Sequence, residues 1–160
     1  MSDTSLEPGA AAPDFTLRRD GGETVSLSDF GGKPLVLFFY PKADTSGCTR
    51  EAVAFSELGS DFSAAGAAAG AAVVGISKDP VEKQEKFRDK HDLTVPLLSD
   101  DQDVCERYAT WVEKSMYGKK FMGIERSTFL IGPDGRIAKV WRKVKVPGHA
   151  EEVLDAVRAL

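Results

Sequence analysis

Two cysteines and two histidines are all that this 160-residue chain contains of either type, and that scarcity excludes several kinds of protein. Two thiols do not make a disulfide scaffold. They do not form a Cys-x-x-Cys pair either, so thioredoxin-type dithiol exchange has no place here. His91 and His149 stand alone, without partners at metal-ligand spacing, and both read as structural or exposed. No P-loop or dinucleotide fingerprint is present. Long apolar runs are missing too. The stretch 64–76 is rich in Ala and Gly and falls short of the roughly 20 residues a membrane helix needs. Basic charge is scarce: 21 Lys and Arg face 25 Asp and Glu, a net charge of −4. Nucleic acid is therefore not the expected partner. The basic clusters at Lys119 and Lys120 and at Arg142, Lys143 and Lys145 read as solvated surface. Met1 to Leu6 is polar and acidic, unlike a secretory leader. A reducing, cytoplasmic setting in which the cysteines do chemistry is the expectation.

What is present fits one α/β domain over 1–160. The chain is 42% hydrophobic and 29% charged, a globular balance. Residues 1–12 lack periodicity and read as a flexible tail. Phe15–Leu17 and Val25–Leu27 alternate around Asp20-Gly21-Gly22, the signal of an N-terminal β-hairpin. Leu35–Tyr40 is continuously apolar, as in a strand covered on both faces. Ala52, Phe55, Leu58 and Phe62 recur at helical spacing and predict one helix from about Thr49 to Ala65. Gly66–Gly70 reads as an extended connection, and Ala72–Ile76 as the next strand. Asp79-Pro80 predicts an N-cap and a first helical residue, with the helix running to about Lys90. A short strand at Val95–Leu98 follows. Val104, Tyr108 and Trp111 form a helical stripe, and 117–123 reads as a loop. Two strands, Ser127–Ile131 and Ile137–Trp141, flank Pro133-Asp134-Gly135. Ala150, Val153, Leu154, Val157 and Leu160 close the chain with an amphipathic helix. Alternating elements of this kind imply a mixed central sheet flanked by helices.

The most informative residue is Cys48. It follows an apolar strand and a Pro- and Gly-containing loop, Pro41 to Gly47, and sits where a helix begins. A thiol there faces unpaired backbone N–H groups and the positive end of the helix dipole. Both favour thiolate, the reactive form. Thr45 adds a hydroxyl three residues earlier.

Pro41-x-x-x-Thr45-x-x-Cys48 resembles the peroxiredoxin signature. The longer run Phe39-Tyr40-Pro41-Lys42-x-Asp44-Thr45-x-Gly47-Cys48-Thr49-x-Glu51 is similar to the bacterioferritin-comigratory, or Q-type, branch. The likeness extends through Ala12–Phe15, Val74–Ser77, Leu97–Asp100, Tyr117–Lys119, Arg126–Ile131 and Gly148–Leu154, and so covers about residues 9–160. It implies a thioredoxin-like fold and a thiol peroxidase that needs no metal, haem or flavin. Such an enzyme reduces hydrogen peroxide and organic hydroperoxides.

Peroxide reduction needs a thiolate, an oriented substrate and fixed donors for the charge that develops on the leaving oxygen. On the resemblance, Cys48 is the peroxidatic nucleophile. Thr45 accepts from the peroxide and donates toward the sulfur, and Pro41 shields the sulfur. Arg126, just before the Ser127-Thr128-Phe129 strand, supplies the cation, and Glu51 fixes its orientation. Two positions depart from the family pattern: Ser46 stands where many members have Pro, and Val53 where many carry a resolving cysteine. The within-helix disulfide is thereby excluded. Cys105 remains, either as a small core side chain or as a resolving thiol. The working expectation is one-cysteine chemistry in a monomer, with thioredoxin, glutaredoxin or a low-molecular-weight thiol as reductant. A two-cysteine enzyme resolving through Cys105, a peroxide-sensing relay protein and a holdase are the alternatives.

Overall fold

The computed structural model describes residues 6–65 and 70–160. Seven strands form a mixed sheet in the order β2-β1-β5-β4-β3-β8-β9. These are β1 (Thr16–Arg19), β2 (Thr24–Ser26), β3 (Leu35–Phe39), β4 (Ala72–Ser77), β5 (Leu97–Ser99), β8 (Ser127–Ile131) and β9 (Ile137–Arg142). The expected N-terminal hairpin is β1–β2, paired through Leu17 and Val25. β3 lies inside the sheet, parallel to β4 and antiparallel to β8. All five of its residues are buried, which is why its sequence shows no polar alternation.

Side chains along β3 alternate between two separate cores. Val36, Phe38 and Tyr40 join Ala52, Phe55, Phe62, Phe87 and Val153 on one face. Leu35, Leu37 and Phe39 join Phe15, Leu17, Val104, Tyr108 and Ile124 on the other. The first face is covered by α1 (Ser46–Glu57), α2 (Gly59–Ala64), α3 (Val81–His91) and α5 (His149–Arg158). The second carries the short α4 (Val104–Arg107) and a separate two-stranded ribbon of β6 (Trp111–Met116) and β7 (Lys119–Ile124).

Several expectations change. The single helix from Thr49 to Ala65 is two helices. They break at Leu58 and Gly59, where glycine weakens helical continuity and Ser56 Oγ accepts from the Thr94 N–H at 3.0 Å. The Val104/Tyr108/Trp111 stripe is not one helix, because α4 ends at Arg107 and Trp111 opens β6. The expected 117–123 loop is mostly strand β7, with only Tyr117 and Gly118 turning, both at positive φ. Asp79 does not cap α3. Pro80 takes that position, and the Asp79 carboxylate accepts instead from Ser77 Oγ and the Ala43 N–H, each at 2.7 Å. The tail reading fails for residues 9–12. Gly9 N–H donates to Ile137 and Ala12 N–H to Gly135, while Ile137 N–H donates to Ala10, so this segment satisfies backbone groups at the start of β9. Residues 1–5, and 66–69 of the expected extended connection, lie outside the described residues.

Candidate active site

β3 ends at Phe39, and its last polar backbone contact is Tyr40 N–H to Ile76 O at 3.0 Å. Pro41 then turns the chain out of the sheet and is half-buried. Asp44 adopts φ +63°, a left-handed conformation that Asp tolerates better than most residues. Its carboxylate meets Lys90 Nζ at 3.0 Å and His91 Nε2 at 2.9 Å on the last turn of α3. The loop is therefore tied down at Ala43 by Asp79 and at Asp44 by α3.

α1 begins at Ser46 after Thr45, so Cys48 is the third helical residue, inside the first turn. The first intrahelical acceptor, Thr45 O, serves Thr49 N–H at 2.8 Å. The amides before Thr49 have no acceptor within the helix. Cys48 is 1% exposed. Arg126 Nη2 donates to its Sγ at 3.3 Å, and Arg126 Nη1 donates to Glu51 Oε1 at 2.7 Å. One guanidinium thus joins the thiol to a buried carboxylate. Gly47 leaves room for this approach: a Cβ there would lie 3.1 Å from Arg126 Nη2, and the guanidinium would have to give by a few tenths of an ångström. Thr45 is placed differently from expectation. Its Oγ1 donates to Lys42 O at 2.8 Å, so the proton does not go to sulfur and the lone pairs stay free to accept.

Cys105 is on the other side of the sheet. Cys48 packs in the core with α1 and α5, Cys105 in the core with α4 and β1. Burial, and next the Asp100 carboxylate, push the Cys105 thiol well above its ordinary range. Among the described residues no group of three His, Cys, Asp or Glu is placed to hold a metal ion, and no helix is long and apolar enough to cross a membrane.

The AhpC/TSA family profile matches residues 8–140. A putative peroxiredoxin bcp of Coxiella burnetii is 51% identical over 151 residues, 94% of this chain and 97% of that one. Peroxiredoxin Bcp of Bacillus subtilis is 47% identical over 155 residues, 96% of each. The chain belongs to the AhpC/TSA family, in its Bcp (Q-type) peroxiredoxin branch. Solved structures agree. The bacterioferritin comigratory protein of Xanthomonas campestris, described in a study of its alkyl peroxide reduction, superposes with a TM-score of 0.86 at 42% identity, covering 98% of each chain. A PrxQ variant from Xylella fastidiosa gives 0.89 at 40%, covering 99% of this chain and 98% of that one. The fold is thioredoxin-like, and this peroxiredoxin is a thiol peroxidase.

Sequence reasoning missed what braces its site. Tyr40 OH donates to Gln84 Oε1, Gln84 Nε2 donates to Ser77 Oγ at 2.8 Å, and Ser77 Oγ donates to Asp79. This buried chain of bonds runs from β3 across β4 to the loop before Cys48. Gln84 looks like one more polar residue on a charged helix, so no local pattern marks it. Lys114 on β6 was also missed. Burial lowers its ammonium pKa and the nearby Arg126 lowers it further, while Cys48 opposes them.

Two buried groups give opposed pH dependences. Burial raises the Glu51 carboxyl to about 7, although Arg126 pulls it down. Glu51 Oε2 has no hydrogen-bond partner among the described residues. The folded protein therefore holds a proton that the unfolded chain releases above about 4.5, and stability falls as pH rises from 4.5 to 7. His149 behaves oppositely. Burial lowers it to about 4 from 6.5, and its Nε2 lies 2.8 Å from Thr128 Oγ1. The unfolded chain takes up this proton first, so stability falls as pH drops from 6.5 to 4. The two slopes, each at most about 1.4 kcal/mol per pH unit, oppose each other across the shared window. Glu51→Gln is expected to unmask His149, giving a variant whose stability climbs with pH relative to the parent. Urea unfolding of both proteins at several pH values between 4.5 and 6.5 checks this. Parallel profiles would contradict it.

Proposed function

We propose that this chain reduces hydrogen peroxide and organic hydroperoxides through Cys48, in one-cysteine chemistry recycled by an external thiol. The observation that carries the residue roles is the Arg126 guanidinium, held between Cys48 Sγ and Glu51. The Cys48 thiolate attacks one peroxide oxygen along the O–O axis. An S–O bond forms, the O–O bond breaks, and the leaving oxygen takes a proton to depart as water or alcohol. Cys48 is left as sulfenic acid. Arg126 stays charged throughout and offers several donors in a rigid fork, so it supports first the thiolate and then the leaving oxygen. The lone pairs of Thr45 Oγ1 accept from the peroxide O–H, and Pro41 screens the sulfur.

The opposite placement of the two cysteines supports recycling from outside. A disulfide needs Cα atoms within about 7 Å. The central sheet, with its Phe38, Phe39 and Phe129 side chains, separates the cores that hold Cys48 and Cys105. Thioredoxin, glutaredoxin or a small thiol in the cytoplasm is the reductant class this reading implies, for a monomer acting as one domain. One equivalent of hydrogen peroxide, followed by alkylation without reductant and peptide mapping, tests it. The expected result is a trappable sulfenic acid on Cys48 with Cys105 free, and turnover unchanged in Cys105→Ala. A Cys48–Cys105 linkage would replace this reading with a two-cysteine enzyme.

A further inference from the structure

We propose that the cleft between the Cys48 loop and α3 binds a small thiol carrying two carboxylates, and that this anionic thiol is the one that recycles oxidised Cys48. The proposal rests on the one-cysteine reading above and names its reductant.

The cleft encloses about 540 Å³, within the range of small-ligand sites. One wall is Lys42, Ala43 and Asp44, the residues directly after Pro41. The other is the outer face of α3, with Lys83, Lys86 and Lys90 around Phe87. Positions 83, 86, 87 and 90 recur at three- and four-residue intervals, so the helix gathers these three ammonium groups on one side. The bland reading of a lysine-rich helix is a solvated face. Here the lysines face a second wall that brings a fourth, Lys42, from the active-site loop. The floor is not solvent but Phe87, 1% exposed, with Ala43 beside it. Both pack in the same buried cluster as Cys48.

Charge within the cleft runs against the rest of the molecule. Its two carboxylates are already engaged: Asp89 pairs with Arg88 at 2.9 Å, and Asp44 with Lys90 at 3.0 Å. Lys42, Lys83 and Lys86 have no salt-bridge partner among the described residues. Three uncompensated cations thus converge on one concavity in a chain of net charge −4. Other cavities lack this character. One of about 720 Å³ beside α2 and β4 has no charged side chain in its lining. Another, of about 560 Å³, is lined by Asp79, Glu82, Glu85, Asp100 and Asp101 and only two cations. An anion is therefore favoured beside the Cys48 loop and disfavoured at the second of these.

The cleft shares no lining residue with the peroxide site, since Pro41, Thr45, Cys48, Glu51 and Arg126 are all outside it. It can hold a second reactant without displacing the first. A tripeptide-sized thiol spans about 10 Å, and the cleft's loop wall, Lys42 to Asp44, is the stretch of chain between Pro41 and Thr45 of the peroxide site. The chemistry balances with two equivalents. The first thiolate attacks the Cys48 sulfenic sulfur, an S–S bond forms, the S–O bond breaks, and hydroxide leaves with the thiol's proton as water. The second thiolate attacks the outer sulfur of that mixed disulfide. Cys48 departs as thiolate, and the two small thiols leave as their own disulfide.

Steady-state peroxidase assays of the full chain test this, with glutathione as the dicarboxylate thiol and dithiothreitol as the uncharged one. In the double variant Lys83→Gln/Lys86→Gln, the apparent KM for glutathione is expected to rise about fivefold, the upper worth of one exposed ion pair. The dithiothreitol-supported rate and the first oxidation of Cys48 by peroxide should be unchanged, and Lys83→Arg/Lys86→Arg should restore the glutathione KM. Added salt should raise that KM in the parent and much less in the double Gln variant. Failure of glutathione to reduce the sulfenic acid overturns the proposal. So does an unaltered glutathione KM in the double Gln variant, or equal impairment with dithiothreitol. The reading beneath it fails separately, before any thiol is added, if peroxide leaves Cys48 unoxidised or links it to Cys105.

Discussion

Cys48→Ser is expected to abolish peroxide reduction and leave the fold intact. The substitution replaces the sulfur that attacks in the proposed reaction with an oxygen that stays protonated at neutral pH and bonds poorly to a peroxide oxygen. Removing the nucleophile of an enzyme that acts through one costs more than about a thousandfold in kcat. The loss should extend to every hydroperoxide and every reductant, because the first step is shared. Nothing else in the site needs to move. Serine is slightly smaller and can still accept from Arg126 Nη2, which now donates to Sγ at 3.3 Å. Arg126 also keeps its pairing with Glu51. The check is peroxide consumption measured beside the thermal unfolding of both proteins. Activity surviving at a few percent of the parent, with the fold preserved, would move the nucleophile elsewhere.

Arg126→Ala should be the second most damaging change, and it strikes activity and stability together. Loss of one preorganised donor to developing charge costs about a hundredfold to a thousandfold in rate, and in the proposed reaction Arg126 serves both the thiolate and the leaving oxygen. The variant also strands Glu51, whose side chain is 1% exposed. Breaking a buried pair from one side destabilises by about 3 kcal/mol or more. The stability loss should depend on pH. With Arg126 present, burial already raises Glu51 to about 7. Without the cation the carboxyl binds its proton more tightly still, so the penalty is smaller below neutrality and larger above it. Urea unfolding on both sides of neutral pH reads this. Arg126→Lys keeps the charge but not the fork, and should recover stability better than rate. A uniform stability loss across pH would mean that Glu51 does not sense Arg126 as its pairing implies.

The strand-and-helix order was legible because burial leaves periodic marks. Leu35–Phe39 is apolar throughout since both faces are covered, and the final helix shows its stripe since only one face is. Where the reading failed, the cause was non-local. Trp111 continues a helical spacing from Val104 and Tyr108. It pairs instead with Ile124 across the β6–β7 ribbon, a contact that helical spacing from Val104 cannot predict. Asp79 before Pro80 has the local chemistry of a helix cap, but the Ala43 amide and Ser77 hydroxyl compete for its carboxylate. Local propensity yields when a tertiary partner offers the same group a better-placed bond.

The sequence by itself determined the candidate nucleophile and its setting: a cysteine after an apolar strand and a Pro- and Gly-containing loop, inside the first turn of a helix. Those features are local, since a helix terminus leaves its amides unpaired whatever surrounds it. It also excluded the within-helix disulfide, because Val53 has no sulfur. Only the tertiary structure decided which distant groups meet. It brought Arg126 and Glu51 together at Cys48, put Cys105 in the opposite core, and set the lysines of α3 against the active-site loop. The physical reason is the two-residue period of β3, which sends neighbouring side chains to opposite faces of the sheet. Which face each helix then covers is set by how the chain crosses over, and that crossing leaves no mark in any short stretch of residues.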